Sequence, residues 1–467
     1  MIMNAFHDAH LHVLGIGYSA SIVDLSKATS IKEVKTILKD ALNDNKEVLL
    51  ARGWDQSLFS EERMLNKDDL NEISTTKAIV AIRICGHIIS VNDAALKLAN
   101  IKDARPQVDG GSFDLDAGIF TEQAINLIYD SLPPYTKDDI KEFLKVANDI
   151  LLAKGVTTVY SDDFSILNVD FEVIIEAMKE AYEEGLIRVR ITEQVNLPKR
   201  ADLKRFIDQE YQNATIHKNF KMGPLKLLAD GSLGGRTAYL NEPYSDDQDT
   251  VGIKTFKDEE LLELLTIADE SEMDAHIHAI GDGTIDQVLD VFKEVMENST
   301  RHNYEYGIIH TQLANIAQIK KMKELGITSI IQPIFLNSDI PMIEDRIGER
   351  AKESYLFYTM FKEGVTTLFS TDSPVEPVDP FLNLYCAMTR KSIKYPELEP
   401  FLEDEAFTLE EAIGCYQSPA SHFKDVFSQD RIEVDRDIYD LSKEEIKDVK
   451  VLRTYMDSQL VYKYDDE

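Results

Sequence analysis

The 467-residue sequence predicts an α/β chain built on a TIM-type (β/α)8 barrel, and three observations predict it. Eight short apolar segments, bounded by Gly, Pro or polar turns, have the length of strands rather than helices. Amphipathic helical stretches lie between several of them, the alternation that wraps a parallel barrel in helices. No glycine-rich loop follows an early strand, which leaves an open dinucleotide-binding sheet as the poorer match.

The strand segments begin with 5–13 (AFHDAHLHV), 156–163 (VTTVYSDD), 188–195 (RVRITEQV) and 223–230 (GPLKLLAD). They continue with 273–280 (MDAHIHAI), 306–313 (YGIIHTQL), 327–335 (ITSIIQPIF) and 366–372 (TTLFSTD). Helices are predicted at 170–184, 258–271, 284–297 and 315–325, the last stopped by Gly326.

This pattern divides the chain. Residues 1–13 supply the first barrel strand, and 156–426 the remainder of the barrel. The interval 14–155 is too long for one βα connection and holds its own strand candidate, KAIVAIRI (77–84). It reads as an inserted subdomain over the active site, because βα loops open on the catalytic face. Residues 427–467 contain short strand-like pieces (IEVDRDIYDL, VKVLRTYM, QLVYKY) and read as a small β element.

Lys and Arg number 50 against 84 Asp and Glu, a net charge of −34. Such a surface disfavours nucleic acid and anionic membrane as partners. The acids are interleaved with apolar residues, as in EVIIEAMKEAYEEG, so they coat a folded surface and do not form a disordered tail. Cys85, Cys386 and Cys415 make no CxxC pair, which fits a reducing compartment. The start, MIMNAFHDAHLH, lacks a secretory pattern, and no apolar run reaches membrane-spanning length. The expectation is a cytoplasmic protein acting on a small molecule, with homo-oligomer formation left open.

The chemistry starts at His10 and His12. Residues two apart on a strand share a face, so Asp8, His10 and His12 lie opposite Ala9, Leu11 and Val13. Two imidazoles on one face can ligate a metal, although HxH alone is a weak signal. His276 and His278 repeat the spacing on the fifth strand segment, His310 stands near the end of the sixth, and Asp372 ends the eighth. Five of the ten histidines thus take barrel-strand positions facing one end, which a metal centre explains and core packing does not. Lys226, in LKLLADGS, shares a face with Asp230. An inward lysine is costly unless paired or neutralised; pairing with Asp230 is the simpler solution, and carbamylation to a metal-bridging carboxylate the other.

The segments DAHLH, GWD, RICGHIISVNDAAL, GGSFDLDAGIFTE, LKLLADGSLGGRTAYLNEPYSD, HAIGD, IIHTQ and FSTDSPVEPVDP run in order over most of the chain. In them the sequence resembles the amidohydrolase superfamily, in the branch similar to N-substituted formamide deformylases. The resemblance implies a metal site of His10, His12, Lys226, His278, His310 and Asp372, with Lys226 carboxylated in a binuclear version. It also makes His87 a substrate-contacting donor. Trp54 could wall the pocket or simply pack in a core; Arg236 could bind a substrate carboxylate or pair with surface acids. His276 could support His278, and Asp8 could orient a ligand imidazole. His7, His217, His302 and His422 look incidental. Two departures concern the accessory domain: the chain begins almost at HxH, so its β-sandwich is reduced, and EVDRDIYD replaces the usual glycine-lysine-alanine-aspartate turn.

The resulting expectation is a metal-dependent hydrolase of a non-peptide C–N bond in an amide, formamide or cyclic amide. One or two divalent ions would lower the pKa of a bound water to about 7, supplying a metal-bound hydroxide. Asp372 would be general base toward that water and general acid toward the leaving nitrogen. Zinc suits the donors, as do Mn2+, Fe2+ and Ni2+. The alternatives are a mononuclear deaminase of an amino-heterocycle and a barrel that binds metal or ligand without turnover. Asp372, beside a full ligand set, speaks against the latter.

Overall fold

The apolar segments become eight strands: β1 (Phe6–Leu11), β2 (Val156–Ser161), β3 (Arg190–Asn196), β4 (Phe220–Leu228), β5 (Ala275–Ala279), β6 (Gly307–His310), β7 (Thr328–Ile331) and β8 (Thr367–Phe369). Each pairs in parallel with the next in chain order. Backbone hydrogen bonds of 2.9 Å, Asp372 N to His10 O and His12 N to Ser373 O, join the segment after β8 to the end of β1 and bring the barrel round to closure. The structure is a computed structural model that describes residues 1–42, 47–84, 87–101, 111–417 and 429–464. It forms two units, Met1–Gly17 with Thr136–Glu467, and Tyr18–Tyr135.

In the barrel unit the predicted helices are present at Phe171–Glu183, Asp258–Glu270, Asp282–Asn298 and Ile316–Leu325. The fourth opens on a capping box between Asn315 and Gln318 and ends at Gly326, whose φ of 71° is the left-handed conformation that glycine adopts freely. Asp282–Asn298 buries Ile285, Val288, Leu289, Phe292 and Val295, the stripe of a 3.6-residue period. Each such side chain contributes roughly 1.5–3 kcal/mol on leaving water.

The first strand is shorter than its pattern suggests. It stops at Leu11, and Val13, expected on the strand's apolar side, opens a helix. The reason lies on β2 and just beyond it: Ser161 Oγ accepts from Val13 N at 2.8 Å and Asp163 Oδ1 from Leu14 N at 2.7 Å. These oxygens satisfy amides that a helix start leaves unpaired. Gly17, in the same helix, faces the backbone of Phe143; a Cβ there would stand 1.8 Å from Phe143 O.

The C-terminal pieces form one antiparallel sheet with a strand that the sequence reading missed. Ile2–Asn4 pairs with Arg431–Val434, which pairs with Val451–Met456 and then Gln459–Lys463. Of IEVDRDIYDL only the first part is strand; Ile438–Asp440 is a 3-10 turn. The boundary expected at residue 427 lies outside the described residues.

The other unit contains a six-stranded sheet in the order Val23–Asp24, Val48–Trp54, Ala78–Arg83, Ile88–Val91, Ile119–Glu122 and Gly111–Asp114. Its first three strands are parallel and the rest antiparallel. Ala78–Arg83 is the strand predicted from KAIVAIRI. Among the described residues no helix is long and apolar enough to cross a membrane.

Candidate metal centre

Parallel strands in register place their last residues at one barrel end. Leu228 stands opposite His278, Lys226 opposite His276, and Ala279 opposite His310. His10, His310 and Asp372 are buried, with ligand atoms all within 4.8 Å of one another. His12, just past β1, joins them: its Nε2 lies 3.1 Å from Asp372 Oδ1, and His10 Nε2 lies 3.2 Å from the same oxygen. The His10 ring is 5.3 Å from that of His12 and 6.1 Å from that of His310; His278 is 4.4 Å from His310.

The far edge of each imidazole is already committed. His10 Nδ1 lies 2.6 Å from Gln194 Oε1, His12 Nδ1 2.5 Å from Asp162 O, and His310 Nδ1 2.8 Å from Gln332 Oε1. All three partners are acceptors, so Nδ1 carries the proton and Nε2 keeps its lone pair. His278 is arranged the other way: Nε2 donates toward Gly231 O at 3.0 Å and Asp230 Oδ1 at 3.2 Å, leaving Nδ1 as its lone-pair atom.

Two of these lone pairs face one carboxylate oxygen, an arrangement that balances only with a positive charge between them. A second proton can supply it. Burial disfavours charge on His12, but its bond to Asp372 and the charges of Asp162 and Asp372 outweigh that and push it up to about 9. Burial would raise the Asp372 carboxyl, yet the imidazoles of His10 and His12 hold it well below the usual range. Burial, reinforced by Lys226 for His10 and by His278 for His310, pushes those two imidazoles down. A divalent cation meets the same demand with neutral imidazole and ionised carboxylate, the donors that zinc takes. The residues present therefore fit a metal.

Lys226 is buried, but its partner is not the one the strand pattern suggests. Its Nζ lies 3.5 Å from Asp162 Oδ2. Asp230 is taken by the backbone amides of Ile280, Gly281 and Tyr239, at 3.1, 2.8 and 3.0 Å. Asp162 also accepts from Asn196 Nδ2 at 3.0 Å. Asp8 holds backbone rather than an imidazole, accepting from His10 N at 3.1 Å, Thr371 N at 3.2 Å and Thr371 Oγ1 at 2.6 Å. It thereby fixes the chain on which His10 and Asp372 stand. His276, expected behind His278, lies 2.8 Å from Gln194 Nε2 and so reaches toward His10.

Two of the substrate-contact candidates, Trp54 and His87, belong to the Tyr18–Tyr135 unit, and Arg236 to the barrel unit. Trp54 is 0% exposed in the core of its own unit, stacks on Phe59 and donates from Nε1 to Ala81 O at 3.0 Å. Its side chain has no exposed surface, as the core-packing alternative expects. His87, also in that unit, is exposed and 3.0 Å from Glu122 Oε2. Arg236 forms a two-pronged pair with Asp246 at 3.0 and 2.8 Å, and Arg346 binds the same carboxylate. That is the surface pairing left open beside carboxylate binding. Of the other histidines, His7 is buried and His217 stacks on Tyr182; His422, like Cys85, lies outside the described residues.

The barrel and its donor set define a class, and comparison with known proteins identifies it. The chain belongs to the amidohydrolase family, whose profile matches residues 1–418, and so to the metal-dependent hydrolases. It is 32% identical over 420 residues to YtcJ of Bacillus subtilis (strain 168), a protein provisionally named an amidohydrolase, covering 88% of this chain and 77% of that one. N-substituted formamide deformylase of Arthrobacter pascens is 24% identical over 496 residues, covering 99% and 88%. Among solved structures, an uncharacterized metal-dependent hydrolase from Pyrococcus furiosus superimposes with a TM-score of 0.75 at 30% identity, covering 89% of this chain and 81% of that one.

Proposed function

We propose that this hydrolase cleaves a non-peptide C–N bond in an amide, formamide or cyclic amide. The observation that carries the reading is the Asp372 carboxylate, 3.1–3.2 Å from two imidazole Nε2 atoms at the end of the barrel where the strands finish. His10, His12, His278, His310 and Asp372 would hold a divalent ion, zinc first, with Mn2+, Fe2+ and Ni2+ suited to the same donors. When bound, such an ion supplies Lewis acidity toward a carbonyl and acidifies water. Asp372 takes the proton of the attacking water and returns it to the leaving nitrogen. The similarity to a formamide deformylase supports the choice of bond. A screen of N-formyl and N-acyl compounds with added Zn2+ or Mn2+ tests the reading. Release of amine or carboxylate with one or two ions per chain is expected; metal-replete protein that binds no ion overturns it.

Carboxylation of Lys226 belongs to the same proposal, and its surroundings set a condition. Lys226 and Asp162 form a buried pair whose side chains are each 2% exposed. A carboxyl on Nζ turns that pair into two neighbouring anions, which burial penalises unless cations stand between them. Intact-protein mass spectrometry should therefore find the added carboxyl on metal-loaded protein and lose it on chelation. A two-metal form with unmodified Lys226 would count against carboxylation.

A further inference from the structure

Gln194, on β3, has both ends of its carboxamide engaged across the barrel interior. Oε1 lies 2.6 Å from His10 Nδ1, and Nε2 lies 2.8 Å from His276 Nδ1. One end of an amide accepts and the other donates, so its orientation is tied to the tautomers of both histidines. With Oε1 on His10, that imidazole is protonated at Nδ1 and offers Nε2 to a cation. His276 must then accept at Nδ1. If the amide turned over, His276 would donate at Nδ1, the amide N–H would point at His10 Nδ1, and the His10 proton would move to Nε2. A proton on Nε2 occupies the position a metal needs.

The second glutamine behind the centre lacks this freedom. Gln332 Oε1 accepts from His310, while its Nε2 donates to Ser370 Oγ at 2.7 Å and Ile330 O at 3.2 Å. A carbonyl can only accept, so Gln332 is locked. For Gln194 the lock is another imidazole. His10, Gln194 and His276 are 1%, 0% and 5% exposed, which leaves bulk water little access to replace a lost partner.

We propose that His276 and Gln194 are positioning residues that select the tautomer in which His10 binds metal. This rests on the reading of His10 as a ligand. The test measures Zn2+ affinity by chelator competition, together with long-range 1H–15N spectra of the metal-free, 15N-histidine-labelled protein, which report the tautomers directly. Gln194→Leu and His276→Leu are expected to weaken Zn2+ binding about 10–100-fold and to shift His10 away from the Nδ1–H form, with His310 unchanged. His276→Asn can place an oxygen where Nδ1 stands and should recover most of the affinity. Gln194→Glu accepts at both ends and should keep the Nδ1–H form and bind at least as tightly as the parent. Unchanged affinity and tautomer in both leucine variants would overturn the proposal. If His276→Leu does not fold, equal affinity of Gln194→Glu and Gln194→Leu would do so. A parent protein that takes up no Zn2+ overturns the ligand reading instead, and the metal-free spectra of the variants still decide the relay.

Discussion

Asp372→Asn should lower kcat/KM by roughly 10²–10⁴-fold, the share of catalysis usually carried by a general acid–base group. Asparagine keeps the side-chain shape and tolerates the left-handed backbone found there, φ 55°. The backbone bond from residue 372 to His10 O is also untouched. What is lost is the carboxylate that accepts and returns a proton. Metal content, measured on the same preparations, separates this role from ligation. Turnover should collapse while most of the metal stays. If activity fell only in proportion to the metal lost, Asp372 would be a ligand and nothing more.

The second large effect concerns stability. Arg190, at the start of β3, and Asp430, just before the strand Arg431–Val434, are both 0% exposed and paired with each other. Arg190 Nη2 also reaches Asp430 Oδ1 at 3.3 Å and Asp457 at 2.8 Å. This pair ties the barrel to the C-terminal sheet. Removing one partner strands a charge in the interior, so Asp430→Ala should destabilise the protein by about 3–5 kcal/mol. Asp457, 49% exposed on its side chain, is too solvated to compensate fully. Replacing both by apolar residues, Arg190→Met with Asp430→Leu, should return much of that loss, because two buried ions then no longer need desolvation. Urea unfolding of the single and the double variant beside the parent measures it. A single variant as stable as the parent would show that the pair contributes little.

The barrel was legible because its signal is repeated eight times. Short apolar segments and intervening stripes such as Ile285–Val288–Leu289–Phe292 point to the same architecture independently. The metal-centre candidates were legible because histidine is scarce and five of ten fell on strand segments. Residues whose role depends on a distant partner were not. Glutamine carries no ligand signature, so Gln194 and Gln332 were invisible until their distances to His10 and His310 were known. Lys226 was matched to Asp230 by strand spacing, but a carboxylate beyond the strand's end was claimed by three amides, while Asp162 came from another strand's end. Ile2–Asn4 is too short for a period to show and exists because Arg431–Val434 pairs with it.

The backbone at His310, Thr311 and Asp372 has φ values of 84°, 48° and 55°, a left-handed region that residues with side chains rarely enter. Holding each one there costs of order 1–3 kcal/mol, and the β-branched Thr311 pays the most obvious steric penalty. The same turns aim His310 and Asp372 into the centre. A selection for heat tolerance alone would therefore find gains at these three positions and erode the enzyme in taking them. Thermostable descendants that keep activity should accumulate their changes in the helices and leave 310, 311 and 372 as they stand.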